Sequence, residues 1–346
     1  MQRSFDGLCR YLAREGGGYT LWVGAGASIA ASKGATPGWD KLVKDIATAH
    51  QIALPLSDDM PSQLEVLSDK IGHAAFRKEL RTRLIAPISV ERLDFDVLVQ
   101  QAIIGARASA VVSFNIDLIT GVAFACGRPG GSTPPRTYLD RHEYVGATIS
   151  PAPGPLASPV YCPHGLLDVY GNCVMTRSEY LKHKMSLAVG TAVQMCLGGD
   201  LLILGMSISD SYIQEALLAG RRWIRDIYWL CDECPHPEWA RVADVTVIRV
   251  EHARLWTEMS ACHIAADQGG SLAKIASHLN VNLKSQLLPM LNRIHGLQAD
   301  LNQAAATAVA IPLYDTEKFM EFARHCVDLG LEVPDVMKQD GRYAGG

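Results

Sequence analysis

Six short apolar runs spaced along one chain constrain its fold more than any other feature of the sequence. They are Tyr19–Val23, Ala110–Ser113, Val160–Cys162, 201–204, Ile227–Cys231 and 245–250. Each is too short to be a buried helix, and several are bounded by Gly, Pro or Asp, so each predicts a strand. Between them lie stretches with helical spacing. Phe5, Leu8, Cys9, Leu12 and Ala13 share one face, and Gly16-Gly17-Gly18 ends that helix. Helices are also expected over 42–49, much of 62–84, 91–104, 118–125, 178–197 and 213–221. Apolar strands that alternate with helices predict a parallel sheet covered on both faces, an α/β doubly wound architecture. Such a sheet takes its ligands beyond the carboxyl ends of its strands.

The pattern changes near residue 252. Helical spacing then recurs over 272–279, 283–301 and 314–331 with no strand between. The division expected is therefore 1–252 for the sheet domain and 253–346 for a helical C-terminal region, with a frayed tail over 339–346. The Pro- and Gly-rich stretch 127–155 predicts a long loop, and loops of that length are commonly functional.

Composition excludes several classes. With 346 residues, 48% hydrophobic and 20% charged, the chain has enough apolar surface for a large core and is neither disordered nor low in complexity. A net charge of -4 gives no reason to expect direct nucleic-acid binding. The nine scattered cysteines read as reduced thiols of a cytoplasmic protein. The first 18 residues include Asp6 and Glu15, so no signal peptide is expected. The weakly charged run 185–199 stops at Asp200, too short to span a bilayer.

Four constellations sit just past strands. Gly24-Ala25-Gly26-Ala27-Ser28 follows the first, where glycine permits a tight turn and close approach to a phosphate. A plain strand-to-helix turn uses the same residues. Ser113-Phe114-Asn115-Ile116-Asp117 closes the second strand and places an amide and a carboxylate at the crevice. Asp117 is equally suited to cap the following helix. Pro163-His164-Gly165 offers an accessible imidazole, the side chain whose charge changes nearest neutral pH. Gly205-Met206-Ser207-Ile208-Ser209-Asp210 offers Gly and Ser to a ribose or phosphate, while Ser209 or Asp210 suits a helix cap. Cys231-x-x-Cys234 is the one paired-thiol spacing. It lacks the remaining ligands of a structural zinc site, so no metal is expected.

Taken in order, these four pieces resemble the sirtuin-like family, over roughly residues 19–250. The resemblance implies a doubly wound NAD-binding fold. Within that family the chain is similar to the bacterial antiphage-defence branch. Pro37-Gly38-Trp39 stands where deacylases carry Gly-Ile-Pro-Asp-Phe-Arg, and Phe114 stands where they have Gln. Thr176-Arg177-Ser178-Glu179-Tyr180 follows His164-Gly165 in place of two cysteine pairs, and the Gly205 segment ends in Asp210. The resemblance implies an NAD glycohydrolase, with NAD as substrate and no metal. It places the pyrophosphate over Gly24, Ala25, Gly26 and Ser28, and the nicotinamide carboxamide on Asp117. Asn115 would position water or ribose, His164 would accept a proton, and Gly205 and Ser207 would line the adenosine half. It further implies gating within a homo-oligomer or beside a partner such as a HerA-type ATPase or a short Argonaute. A deacylase or ADP-ribosyltransferase using the same site, and a non-catalytic NAD or ADP-ribose sensor, are the alternatives.

Overall fold

The computed structural model describes residues 4–14, 19–55, 59–85, 87–127, 136–137, 160–167, 173–267 and, in part, 270–291. The chain runs through α1 (Phe5–Arg14), β1 (Tyr19–Val23), α2 (Ala25–Ala31), α3 (Trp39–Ala49), α4 (Met60–Ile71) and α5 (His73–Leu84). It continues with α6 (Phe95–Arg107), β2 (Ala110–Ser113), α7 (Leu118–Gly127), β3 (Arg136–Thr137) and β4 (Val160–Cys162). Then follow α8 (Arg177–Lys182), α9 (Met185–Gln194), β5 (Asp200–Leu204), α10 (Ser211–Gly220), β6 (Ile227–Cys231), α11 (Pro237–Val242), β7 (Thr246–Arg249) and α12 (His252–Ala266).

The described strands form one sheet in the order β3-β4-β2-β1-β5-β6-β7, and every pairing is parallel. β1 is central, with Leu21 level with Val111 on one side and Leu202 on the other. From β1 the chain first builds outward through β2 and then crosses back to β5. The order therefore reverses between β1 and β5, the position where such sheets bind ligands.

Alternation along β1 builds two cores. Tyr19, Leu21 and Val23 face Leu8 of α1, Ile104 of α6, Phe124 of α7, and Leu255, Trp256 and Met259 of α12. Trp22 faces the opposite way, with Val189 of α9, Leu217 of α10 and Ala240 of α11. The sheet is thus covered on both faces, as the short unbroken apolar strands require. α12, just past residue 252, packs in the same core as β1. Leu279, Leu283 and Leu287 lie further along and pack with Ala102 of α6 and Ile119 of α7. The expected helix over 314–331, most of the loop over 127–155 and the tail lie outside the described residues; within that loop Arg136–Thr137 forms β3.

Three expected helices begin or break differently. The helix expected from 91 starts at Phe95, because Asp94 accepts the amides of Asp96 and Val97 and fixes the start there. The 62–84 stretch is two helices divided at Gly72, whose φ of 84° no helix accommodates. The 178–197 stretch is also two, divided where Lys184 adopts a φ of 51°. α3, α4 and α5 enclose a separate apolar cluster with Ile116, Leu167, Cys173 and Met175, forming a helical cap over the carboxyl end of the sheet. Among the described residues no helix is long and apolar enough to cross a membrane.

His263 on α12 makes a prediction about stability. Its ring is buried, stacks on Tyr19 with centroids 5.9 Å apart, and places Nε2 3.0 Å from the Tyr19 hydroxyl. Burial, with a smaller effect from Arg107, lowers its pKa from 6.5 to about 4. The folded state therefore binds fewer protons than the unfolded state between those values. Stability is full above pH 6.5 and falls as pH drops toward 4, by about 3 kcal/mol from this group. Denaturant midpoints of wild type and His263→Phe across pH 7 to 4 test it. The wild type should lose more stability than the variant by about that amount, and parallel curves would refute it.

Candidate functional site

A cavity of about 400 Å³ opens at the carboxyl end of the sheet, between the β1–α2 and β5–α10 turns and the α3–α4 cap. Gly24, Ala25, Gly26, His164, Gly205 and Ser207 line it. Most of its wall is apolar, with Ile29, Trp39, Phe114, Met175, Met206 and Ile213 among the contributors. Its volume falls in the range of about 300–1,000 Å³ usual for small-molecule sites.

The two turns that meet here are joined through their backbones. The Gly24 amide donates to the Leu204 carbonyl at 3.1 Å, and the Gly26 amide donates to the Gly205 carbonyl at 2.8 Å. The Ala27 amide donates to the Gly24 carbonyl. Of these four consecutive amides, Ala25 alone is left for an incoming ligand among the described residues. The glycines are required by this contact. A Cβ on Gly24 would lie 2.7 Å from the Gly205 carbonyl oxygen and 2.8 Å from Met206 Cα. Gly205 has a φ of 60°, and a Cβ there would meet the Ala27 nitrogen at 2.9 Å. His252 closes the back of the turn, with Nε2 2.7 Å from the Gly26 carbonyl. Because backbone must yield to backbone, Gly24→Ala is expected to cost about 1–3 kcal/mol or more. A thermal melt checks this, and a variant as stable as wild type would show that the turns part without penalty.

Ser28, Asn115 and Asp117 come together, but behind the cavity wall. Asn115 is 2% exposed and Asp117 5%. Asn115 Nδ2 lies 2.9 Å from the Gly24 carbonyl, 2.8 Å from Ser28 Oγ and 3.2 Å from Thr120 Oγ1. Ser28 donates its hydroxyl to Asp117 Oδ2. Asp117 Oδ1 accepts the amides of Ile119 and Thr120, and so caps α7. Burial raises the Asp117 pKa, against the opposing hydrogen bonds from Ser28, Thr120 and Ile119. Asn115 Oδ1 is buried with no partner, the one unmatched acceptor of this network. The three side chains fix the β1–α2 and β2–α7 turns to each other. None of them lines the cavity in this conformation.

His164 does line it, from the turn after β4. The Phe114 backbone hydrogen-bonds its ring, and the Phe114 side chain meets it edge-on at 5.6 Å. Burial holds the His164 pKa below the ordinary value, although Asp210 and the Phe114 carbonyl favour the charged ring. The ring is therefore neutral near pH 7, the form that accepts a proton.

Tyr180 and Asp210, neither among the expected catalytic or NAD-contacting residues, stand beside it. The Tyr180 hydroxyl lies 3.0 Å from His164 Nε2 and 2.7 Å from Asp210 Oδ2. The sequence signal was the Thr176–Tyr180 segment and the Asp that ends the Gly205 segment. Tyr180 is fixed by its helix: Thr176 and Glu179 form a capping box at the start of α8. Arg77 of α5 pairs with Glu179, and Glu65 of α4 accepts the Ser178 amide and hydroxyl at 3.0 Å. Asp210 is fixed by capping α10, where it accepts the Tyr212 amide. Ser207 is exposed at the rim and accepts from Ser209 at 2.8 Å.

Among the described residues no group of three or more His, Cys, Asp and Glu side chains is placed to hold a metal ion. In comparisons with known proteins, the chain matches no family model and no curated protein.

Proposed function

We propose that this chain hydrolyses the nicotinamide–ribose bond of NAD, giving nicotinamide and ADP-ribose. The observation that carries this reading is the convergence of the Gly24, His164 and Gly205 motifs on one apolar-walled cavity at the switch point of a parallel sheet, with the Asn115 motif buttressing its wall. The order of those motifs supplies the resemblance to NAD-hydrolysing sirtuin-like proteins.

The chemistry asks little of an acid. Nicotinamide leaves NAD as a neutral base because its ring nitrogen already carries the positive charge. As the C1′–N bond breaks, its electron pair goes to that nitrogen, and an oxocarbenium-like ribose develops. Water supplies the new C1′–O bond and gives up one proton. Neutral His164 accepts that proton. The apolar wall takes the flat nicotinamide ring and keeps stray nucleophiles away. The Ala25 amide is positioned for a phosphate oxygen, while Ser28, Asn115 and Asp117 act from behind by holding the turn that carries it.

Unrestrained loss of NAD would kill the host cell, so this reading includes control by assembly or by a partner, in keeping with antiphage defence. Product chromatography after incubating NAD with purified protein, alone and with phage-infected lysate, tests the proposal. Nicotinamide and ADP-ribose released in equal amounts support it. Intact NAD under both conditions would refute it.

A further inference from the structure

Three side chains from three separate elements meet at one hydroxyl. His164 comes from the turn after β4, Tyr180 from α8 and Asp210 from the cap of α10. The Tyr180 oxygen is 3.0 Å from His164 Nε2 and 2.7 Å from Asp210 Oδ2, whereas His164 and Asp210 are 3.6 Å apart. All three line the cavity. The hydrogens can be counted. The Phe114 backbone carbonyl also favours the charged ring. Tyr180 has one hydrogen for two neighbours. When neutral His164 carries its hydrogen on the nitrogen away from Tyr180, Nε2 has only a lone pair, and the Tyr180 hydrogen can turn to it. When His164 is charged, Nε2 donates to the Tyr180 oxygen, and the hydrogen turns to Asp210. Each protonation state of the imidazole thus has its own orientation of one hydroxyl.

We propose that Tyr180 relays a proton to His164, its hydroxyl turning between His164 and Asp210 as the imidazole gains and loses that proton. This rests on the reading of His164 as the base in NAD hydrolysis. In the forward step the Tyr180 hydrogen passes to His164 Nε2 while the Tyr180 oxygen takes the water proton and turns it to the Asp210 carboxylate. The imidazolium is then held by a continuous chain, Nε2–H to Tyr180 to Asp210, of the charge-assisted kind. Loss of the proton to solvent resets the hydroxyl. Burial beside Asp210 keeps the phenol protonated throughout. The other ionisable groups facing this chain are Tyr212, whose ring centroid is 5.2 Å from that of Tyr180, and Asp59 at the cap of α4. Asp40 and Lys41 line the same cavity from α3.

The test reads His164 directly. Full-length protein with isotope-labelled histidine is titrated by NMR, the His164 signal being the one missing from His164→Gln. Tyr180→Phe removes the hydroxyl and keeps the ring. The charged imidazole loses more than the neutral one, so the titration midpoint should fall by about half a pH unit or more. Asp210→Asn retains an oxygen for the helix cap and should move it the same way. In NAD turnover, Tyr180→Phe should lower kcat by up to about 10²-fold with little change in KM, and the acid limb should follow the NMR midpoint. An unchanged midpoint in Tyr180→Phe overturns the proposal, as does a shifted midpoint with wild-type kcat. A shifted midpoint in a protein that never consumes NAD supports the coupled triad and rejects the NAD reading.

Discussion

His164→Ala is expected to reduce NAD turnover by about 10²–10⁴-fold, the usual cost of removing a positioned general base. The structure explains why the fold should survive. Tyr180 keeps a partner, because its hydroxyl can turn to Asp210 Oδ2, 2.7 Å away. The Phe114 backbone loses a donor beside an open cavity, where water replaces it. The elements around the site are held independently, by the Thr176–Glu179 capping box and by Arg77 and Glu65. The variant should therefore melt within a few degrees of wild type and still bind NAD. Turnover near the wild-type rate would remove His164 from the mechanism. A large loss of melting temperature would assign it a structural role instead.

Asn115→Ala should behave differently. Its amide supports the Gly24 carbonyl and Ser28 from within the wall, at 2.9 and 2.8 Å. Truncation leaves buried acceptors short of a donor, at a cost of about 1–3 kcal/mol. It also frees the turn that carries Ala25, so activity should fall together with stability. Urea midpoints and NAD turnover measured on the same preparation separate the two readings of this residue. Loss of activity at unchanged stability would mean that Asn115 reaches the substrate, requiring the wall to open. Loss of both places it in the scaffold. Full activity and full stability would leave this network without a role.

These two expectations differ although both residues follow strands and both stood out in the sequence. Asn115 and Asp117 were readable as site residues, and Asp117 equally as a helix cap, since one short polar side chain satisfies both needs. Asp117 in fact caps α7, and the polar cluster it joins is sealed from the cavity. The glycines of the first turn were readable as phosphate-approach residues. Their missing Cβ atoms turn out to admit the β5–α10 backbone. Sequence spacing cannot distinguish a ligand from a second loop as the body that fills a glycine's empty side. The helix breaks at Gly72 and Lys184 were missed because apolar periodicity continues through a single residue of left-handed backbone.

The sheet was already present in local sequence, since short apolar strands between helices have few stable arrangements and the period of each segment is set by its own residues. The positions of the site motifs at strand ends followed from the same reading, and so did the capacity of Asp117 and Asp210 to cap helices. The tertiary structure decided which of these residues share a space. Residues 164, 180 and 210 meet because the parallel order sets β4 and β5 on either side of β2 and β1, and because Arg77 and Glu65 draw α8 across the gap. That meeting depends on contacts between segments far apart in the chain, which no local period encodes. Ser28, Asn115 and Asp117 turn inward for a related reason: buried polar groups need partners, and here they find them in one another.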